Sequence, residues 1–106
     1  MTAEDVLVRM LHEFEDGRRW TRGYPLRDAL GRFQSPYDWD AETRFCLMAM
    51  FCYVRDAMWF GIEMEQEVLG QLRRATGIWN LAWWNDQQPS FGPVRAVLLA
   101  AIEDGK

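Results

Sequence analysis

Ile78–Asp86 reads Ile-Trp-Asn-Leu-Ala-Trp-Trp-Asn-Asp and contains three of the six tryptophans of this 106-residue chain. Each indole ring can bury on the order of 200 Å², so the stretch is predicted to hold a small core together. It is either a short helix after Gly77 or an extended piece that folds back over the core. In both cases, Asn85 and Asp86 are suited to hydrogen-bond nearby backbone N–H groups and to fix the turn that follows.

The three tryptophans of this stretch divide into two groups. At helical spacing Trp79 and Trp83 share one face, whereas Trp84 points about 100° away from it. We therefore expect Trp79 and Trp83 to stabilise the fold. Trp84 is the ring left to contact a partner, and Asn85 and Asp86 would supply directional hydrogen bonds beside it.

Periodic apolar residues on both sides of this stretch predict four helices. The first follows a capping Thr2 and ends near Gly17. The third spans about Glu63 to Thr76 and ends at a capping Gly77. The last has Pro93 in its first turn, where a missing N–H is tolerated. Their inward positions are Val6, Leu7, Met10, Leu11 and Phe14 in the first helix, Val68, Leu69, Leu72 and Ala75 in the third, and Val94, Val97, Leu98, Ala101 and Ile102 in the last.

The second helix is predicted to be central. Residues Cys46–Ala57 are apolar on nearly every side, as expected of a helix surrounded by its neighbours. Asp38 or Asp40 is a candidate cap before it. Its methionines are expected to fill gaps in the core.

Residues 18–39 form a long connection rich in arginine and aromatic side chains. Glycine and proline interrupt any long helix here, although Leu26–Leu30 has room for one helical turn, and residues 22–24 and 31–34 are able to form a small hairpin. Interleaved rings and arginines can stack nucleic-acid bases. The alternative, favoured by the acidic total charge, is that the rings pin the connection to the helices while the arginines pair with carboxylates.

Composition restricts the class of protein. The net charge of −4 argues against a phosphate-binding surface, and the longest apolar run, Phe45–Tyr53, is about half the length of a membrane span. The N-terminal residues lack the pattern of a signal peptide. Cys46 and Cys52 lie out of disulfide reach on one helix, so two reduced thiols are expected. We predict a cytoplasmic protein without a membrane partner.

The sequence contains no recognised catalytic pattern. His12 is the single histidine, and although Asp16 lies one turn away, the further ligands of a zinc site are absent. Glu63 and Glu67 also lie one turn apart, but a solvated face is the expected role. Both cysteines lie in an apolar helix that disfavours the thiolate. We therefore expect neither an enzyme nor a metal or cofactor site.

Several short motifs resemble a small bacterial and phage family that is known as a domain of unknown function. The matching pieces, which span nearly the whole chain, are Trp20–Gly23, Gly31-Arg32, Cys46-Leu47, and Trp84–Asp86 followed by Val94 and Leu98. Met48 stands before Ala49 where the family has small residues, and Ser90 replaces a threonine before the last helix. The resemblance implies a compact helical module and assigns no activity.

These observations predict a mainly α fold. We expect a single domain over residues 1–106, built as a bundle of about four helices with the 18–39 connection between the first two. The predicted function is non-catalytic binding of another protein, in the manner of small phage or mobile-element inhibitors such as anti-CRISPR proteins. The alternative is a nucleic-acid-binding accessory that uses residues 18–39. The candidate partner-binding residues are Trp84, Asn85, Asp86, Trp20, Arg22, Tyr24, Tyr37 and Trp39.

Overall fold

The structure, a computed structural model, describes residues 1–23, 26–28, 30, 32 and 40–106. It confirms the mainly helical class: five helices occur in these residues, together with a two-stranded sheet. The fifth helix is short and lies in the tryptophan stretch, for which the sequence allowed either a short helix or an extended piece. The elements are α1 (Ala3–Glu13), β1 (Leu26–Arg27), β2 (Arg44–Phe45), α2 (Leu47–Met58), α3 (Ile62–Thr76), α4 (Leu81–Asp86) and α5 (Phe91–Asp104).

The start of α1 agrees with the prediction. Thr2 and Asp5 form a reciprocal capping box, in which the Asp5 N–H donates to Thr2 Oγ1 (3.2 Å) and the Thr2 N–H donates to Asp5 Oδ2 (2.8 Å). A 3-10 turn over residues 15–17 follows the helix. Gly17 has φ 97°, and an added Cβ would lie 2.8 Å from Phe91 Cβ. The chain therefore needs glycine where α1 turns away beside α5.

The core forms where α1 packs against α2, α3 and α5. The prediction that α2 is the central helix is wrong. Helix α2 packs mainly on α1 and α4, and Met48, Cys52 and Tyr53 on its outer side are only half-buried. Helix α2 thus carries more apolar side chains than its buried face contains. The largest fully buried side chains are Val6, Leu7, Met10, Phe14, Phe45, Leu47, Met50, Phe51, Val54, Val68, Leu72 and Leu98.

Helix α2 begins later than a cap at Asp40 would require. The residue that caps it is Cys46, whose Sγ accepts a hydrogen bond from the Ala49 N–H at 3.3 Å. Asp40 instead begins a turn that leads into β2. Its carboxylate accepts from the Glu42 N–H at 2.8 Å, which stabilises that turn. The other candidate cap, Asp38, lies outside the described residues.

The small sheet pairs the interior of the long connection with the segment that precedes α2. Leu26 pairs with Phe45 in antiparallel register, and Trp20 forms a parallel bridge to the opposite side of Phe45. Leu26–Arg27 is therefore a strand, and the predicted helical turn over Leu26–Leu30 is wrong there. The predicted hairpin between residues 22–24 and 31–34 falls largely on residues that the structure does not describe.

Two further observations concern the class of protein. Cys46 and Cys52 are both free thiols. Among the helices of the described residues, none combines the length and the apolar character that crossing a membrane would require.

Candidate functional site

Asn85 joins three segments inside the molecule. Its side chain is fully buried, and its Oδ1 accepts hydrogen bonds from Trp20 Nε1 (2.7 Å) and from the Leu47 N–H (3.1 Å). Its Nδ2 donates to the Thr21 carbonyl at 3.1 Å. The Leu47 N–H lies in the first turn of α2 and has no partner within the helix. We call Trp20, Thr21, Leu47 and Asn85 the Asn85 junction.

Adjacent polar contacts extend this junction along the connection. The Gly23 N–H donates to Asp86 Oδ1 at 2.9 Å, and Arg22 Nη1 donates to the Gln88 carbonyl at 2.7 Å. Trp84 is half-buried against the core. The described residues that were predicted to contact a partner are thus engaged in contacts within the fold.

Three predicted partner residues have no described structure. Tyr24, Tyr37 and Trp39 lie outside the described residues, so their role stays a prediction. The described candidates are Trp84, Asn85, Asp86, Trp20 and Arg22, and the structure brings these five together where α4 meets the connection.

The prediction that Trp79 and Trp83 stabilise the core is wrong. Trp79 is 76% exposed and Trp83 is 54% exposed. Helix α4 buries a different face: Leu81 is 2% exposed and Asn85 is 0% exposed, and these two residues are one turn apart. Once Leu81 and Asn85 face inward, Trp83 must point outward, and Trp79 precedes the helix altogether.

Trp79 is fixed in position despite its exposure. The Arg73 guanidinium lies 3.6 Å from the centre of the Trp79 ring, and Arg73 Nε donates to the Trp79 carbonyl at 3.1 Å. A cation over an indole face is attractive. Beside the ring is an open hollow of about 420 Å³, lined by Met48, Arg73, Trp79, Asn80, Leu81 and Ala82. We call Trp79, Trp83, Arg73, Met48 and Ala82 the Trp79 surface.

A second hollow continues the Trp79 surface between α2 and α4. It has a volume of about 280 Å³ and shares Met48 and Ala82 with the first hollow. Cys46 and Cys52 also line it, and burial raises the pKa of both thiols above the ordinary value. Both sulfurs are therefore held in the neutral form, which suits an apolar contact surface better than nucleophilic chemistry.

The described arginines of the connection pair with protein groups. Arg18 bonds to Glu15 (2.8 Å) and Glu42 (2.9 Å), and its hydrogen bond to Glu15 lowers the pKa of that carboxyl. The buried Arg19 donates to the Thr43 carbonyl at 3.0 Å and to the Asp40 carbonyl at 2.9 Å. These contacts favour the structural reading of the connection over binding of nucleic acid.

The remaining candidates for chemistry lie on different helices, His12 on α1 and the two glutamates on α3. His12 is exposed in the last turn of α1. Glu63 and Glu67 are exposed on α3. In the part of the chain that is described, no three histidine, cysteine, aspartate or glutamate side chains are grouped as a metal would need.

No family model matches this sequence, and no curated protein or solved structure is significantly similar to it. The resemblance to a small bacterial and phage family stays a prediction.

Proposed function

We propose that this protein is a non-catalytic module that binds another protein through the Trp79 surface. The observation that carries the proposal is the 76% exposure of Trp79 beside an open hollow whose lining is mainly apolar. A folded chain of this size usually shields such a ring, and exposed apolar surface next to a concavity is typical of partner sites. The proposal keeps the predicted protein partner and transfers the contact from Trp84 to Trp79 and Trp83.

The chemistry of the surface supports this role. Tryptophan and arginine are the residues most often found to dominate binding energy at protein interfaces. Arg73 already holds the Trp79 ring through stacking and a hydrogen bond, so little side-chain freedom would be lost on binding. Met48 adds a flexible, polarisable side chain that adapts to a partner.

A narrower form of the proposal is inhibition of the partner, as by a phage or mobile-element inhibitor such as an anti-CRISPR protein. The small size, acidic charge and absence of recognised catalytic motifs are compatible with it. Its test is whether the captured partner loses its own activity when the purified protein is added in equimolar amount. A partner that stays fully active when saturated would argue for binding without inhibition.

The direct test is affinity capture from the native host with three forms of the protein. We expect the wild type and Val8→Ala to retain the same protein, because Val8 is an exposed apolar residue on another helix. The Trp79→Ala/Trp83→Ala double variant should retain at least tenfold less of it, as loss of two interface tryptophans predicts. Equal retention by the double variant would overturn the proposal, and recovery of nucleic acid with steep salt dependence would favour the alternative.

A further inference from the structure

Trp59 ends α2 in a conformation that suits glycine better than tryptophan. Its φ of 55° and ψ of 71° lie in the left-handed region, where its N–H donates to the Arg55 carbonyl at 2.9 Å and closes the helix. A side chain with a Cβ raises the free energy of this conformation, and glycine is the usual residue there. Helix α3 ends in the same way at Gly77, with φ 72°.

Packing does not explain the presence of tryptophan. The Trp59 side chain is 91% exposed, the highest value among the large apolar residues described. Ile62, three residues further on, is 66% exposed. A strained, exposed indole beside an exposed isoleucine makes no evident contribution to the stability of the fold, which points to a contact outside the molecule.

The surface around Trp59 carries two open, shallow hollows that are lined by both apolar and charged residues. One open hollow of about 500 Å³ is lined by Trp59, Phe60 and Gly61 together with Arg55 and Asp56. A second hollow of about 490 Å³ continues from Gly61 past Ile62 and Met64. Gly61 lines both hollows, and no atom beyond its chain neighbours lies within 4 Å of the position that a Cβ would occupy there. The two hollows therefore meet at the turn between α2 and α3.

Negative charge borders this surface. Glu63 and Glu67 line the second hollow and are exposed. Within the described residues, neither carboxylate has a hydrogen-bonding or ionic partner. Arg55, the cation that lines the first hollow, already pairs with Asp56 (3.3 Å) and lies 3.7 Å from Glu65. The unpaired charge next to the hollows is therefore negative.

We propose that Trp59, Ile62, Glu63 and Glu67, the Trp59 surface, form a docking site for a basic protein segment. The segment inserts an apolar side chain into the hollow beside Trp59 and sets lysine or arginine against Glu63 and Glu67. Complementary charge orients such a segment and excludes acidic ones, including nucleic acid. This site lies at the other end of α3 from the Trp79 surface, and it does not depend on the function proposed there.

A library of random 12-residue peptides tests the proposal without a known partner. Peptides are selected on the immobilised full chain after depletion on the Trp59→Gly variant. We expect the enriched sequences to carry net positive charge and at least one large apolar residue. Enrichment of neutral or acidic sequences, or the absence of any enrichment, would overturn the proposal.

Variants then locate the contact of one selected peptide. Trp59→Gly should weaken its binding at least tenfold while raising the thermal midpoint by a few degrees, because the left-handed strain is removed. Trp59→Asn, which also tolerates this conformation, should weaken binding equally. Glu63→Gln/Glu67→Gln should weaken binding three- to tenfold and reduce its dependence on salt concentration.

Trp79→Ala is the matched loss of a tryptophan elsewhere and should leave the peptide affinity unchanged. If Trp79→Ala abolished binding and Trp59→Gly did not, the peptide would bind at the Trp79 surface. The function proposed for the Trp79 surface would then be unaffected, and the proposed docking site at Trp59 would be wrong. Self-association of the wild type that disappears in Trp59→Gly would identify a second copy as the occupant and would also overturn it.

Discussion

At the scale of single residues, Asn85 links segments that are far apart along the chain. Its amide satisfies one indole N–H, one backbone N–H and one backbone carbonyl, and these come from Trp20, Leu47 and Thr21. Because the site is fully buried, water cannot replace these bonds without opening the structure. The junction is thus held by polar groups that are costly to leave unpaired.

We predict that Asn85→Ala lowers the free energy of unfolding by about 2–4 kcal/mol, because two buried backbone groups and the half-buried Trp20 indole N–H lose their partner. Urea denaturation of the wild type and the variant measures the change. Asp86→Ala is the control: at an exposed position it removes the acceptor of the Gly23 N–H (2.9 Å) and of a longer bond from Asn85 Nδ2 (3.4 Å), and it should cost about 1 kcal/mol or less. A loss under 1 kcal/mol for Asn85→Ala would contradict this account of the junction.

The sequence predicts the role of Asn85 only in part. Its residue type and its place before a polar turn indicate hydrogen bonds to backbone, and it makes them. The prediction had those bonds closing a local turn, whereas two of them reach Thr21 and Leu47, 64 and 38 residues away along the chain. Side-chain chemistry can be inferred from the sequence, but the choice of a distant partner depends on how the helices pack.

Cys46 gives a prediction about pH. Burial raises the pKa of its thiol, although the hydrogen bond from the Ala49 N–H acts in the opposite direction. The folded state therefore favours the protonated thiol, and this contribution to stability is complete below the ordinary thiol pKa of about 8.5 and is lost as the pH rises above it. Stability should fall between pH 8 and pH 10 by a larger amount in the wild type than in Cys46→Ser.

Urea denaturation midpoints of both proteins across this pH range measure the difference. Serine keeps an acceptor for the Ala49 N–H but does not titrate in this range, and Cys52 is present in both proteins. Parallel pH profiles would show that the Cys46 thiol titrates alike in the folded and unfolded chains.

At the scale of the element, α1 is the helix that the sequence specifies most fully. Local residues supply both its cap and its buried face, from Thr2 and Asp5 to Val6, Leu7 and Met10. Capping and periodicity act within a few residues of one another, so they can be read without knowledge of the rest of the fold.

The cap of α1 leads to a test at this scale. Thr2→Ala should lower the free energy of unfolding by about 1 kcal/mol, since it leaves the Asp5 N–H without its acceptor. Thr2→Ser keeps the hydroxyl and should change stability by less than about half of that amount. Thermal unfolding of the three proteins gives the comparison, and equal losses for alanine and serine would indicate that the Thr2 methyl group, rather than the capping bond, is what matters.

Helix α4 illustrates where local patterns are insufficient. The sequence of Ile78–Asp86 permits either of two pairs to be buried: Trp79 with Trp83, or Leu81 with Asn85. Ring size favours the first choice, but the second satisfies the Leu47 N–H and the Trp20 indole through Asn85. Unpaired buried donors cost free energy comparable to the burial of a large ring, so tertiary hydrogen bonding decides which tryptophans are exposed.

At the scale of the whole molecule, two polar side chains fasten the long connection to the helices. Arg19 bonds to the Thr43 and Asp40 carbonyls and lies 3.4 Å from Glu13 at the end of α1. Asn85 holds the next two residues, Trp20 and Thr21. The two side chains thus hold three consecutive residues, Arg19 through the end of α1 and the turn before β2, and Asn85 through α2 and α4.

This arrangement predicts that the two anchors are energetically coupled. Arg19→Lys removes the planar guanidinium that donates to two carbonyls, and it should lower the free energy of unfolding by about 1–3 kcal/mol. If either substitution already loosens residues 19–21, the second has less left to disrupt. The Arg19→Lys/Asn85→Ala double variant should therefore lose about 0.5–2 kcal/mol less than the two single losses added together.

Urea denaturation of the four proteins completes this double-mutant cycle. A matched cycle pairs Asn85→Ala with Thr2→Ala. Thr2 caps the start of α1 and forms no part of the Asn85 junction, so the two losses should add within about 0.5 kcal/mol. Additivity in both cycles would mean that Arg19 and Asn85 hold separate parts of the connection. Coupling confined to the first cycle would instead mean that residues 19–21 detach as one unit. Because this unit is hydrogen-bonded to both α2 and α4, it would then hold the hollow between these two helices in place for a partner.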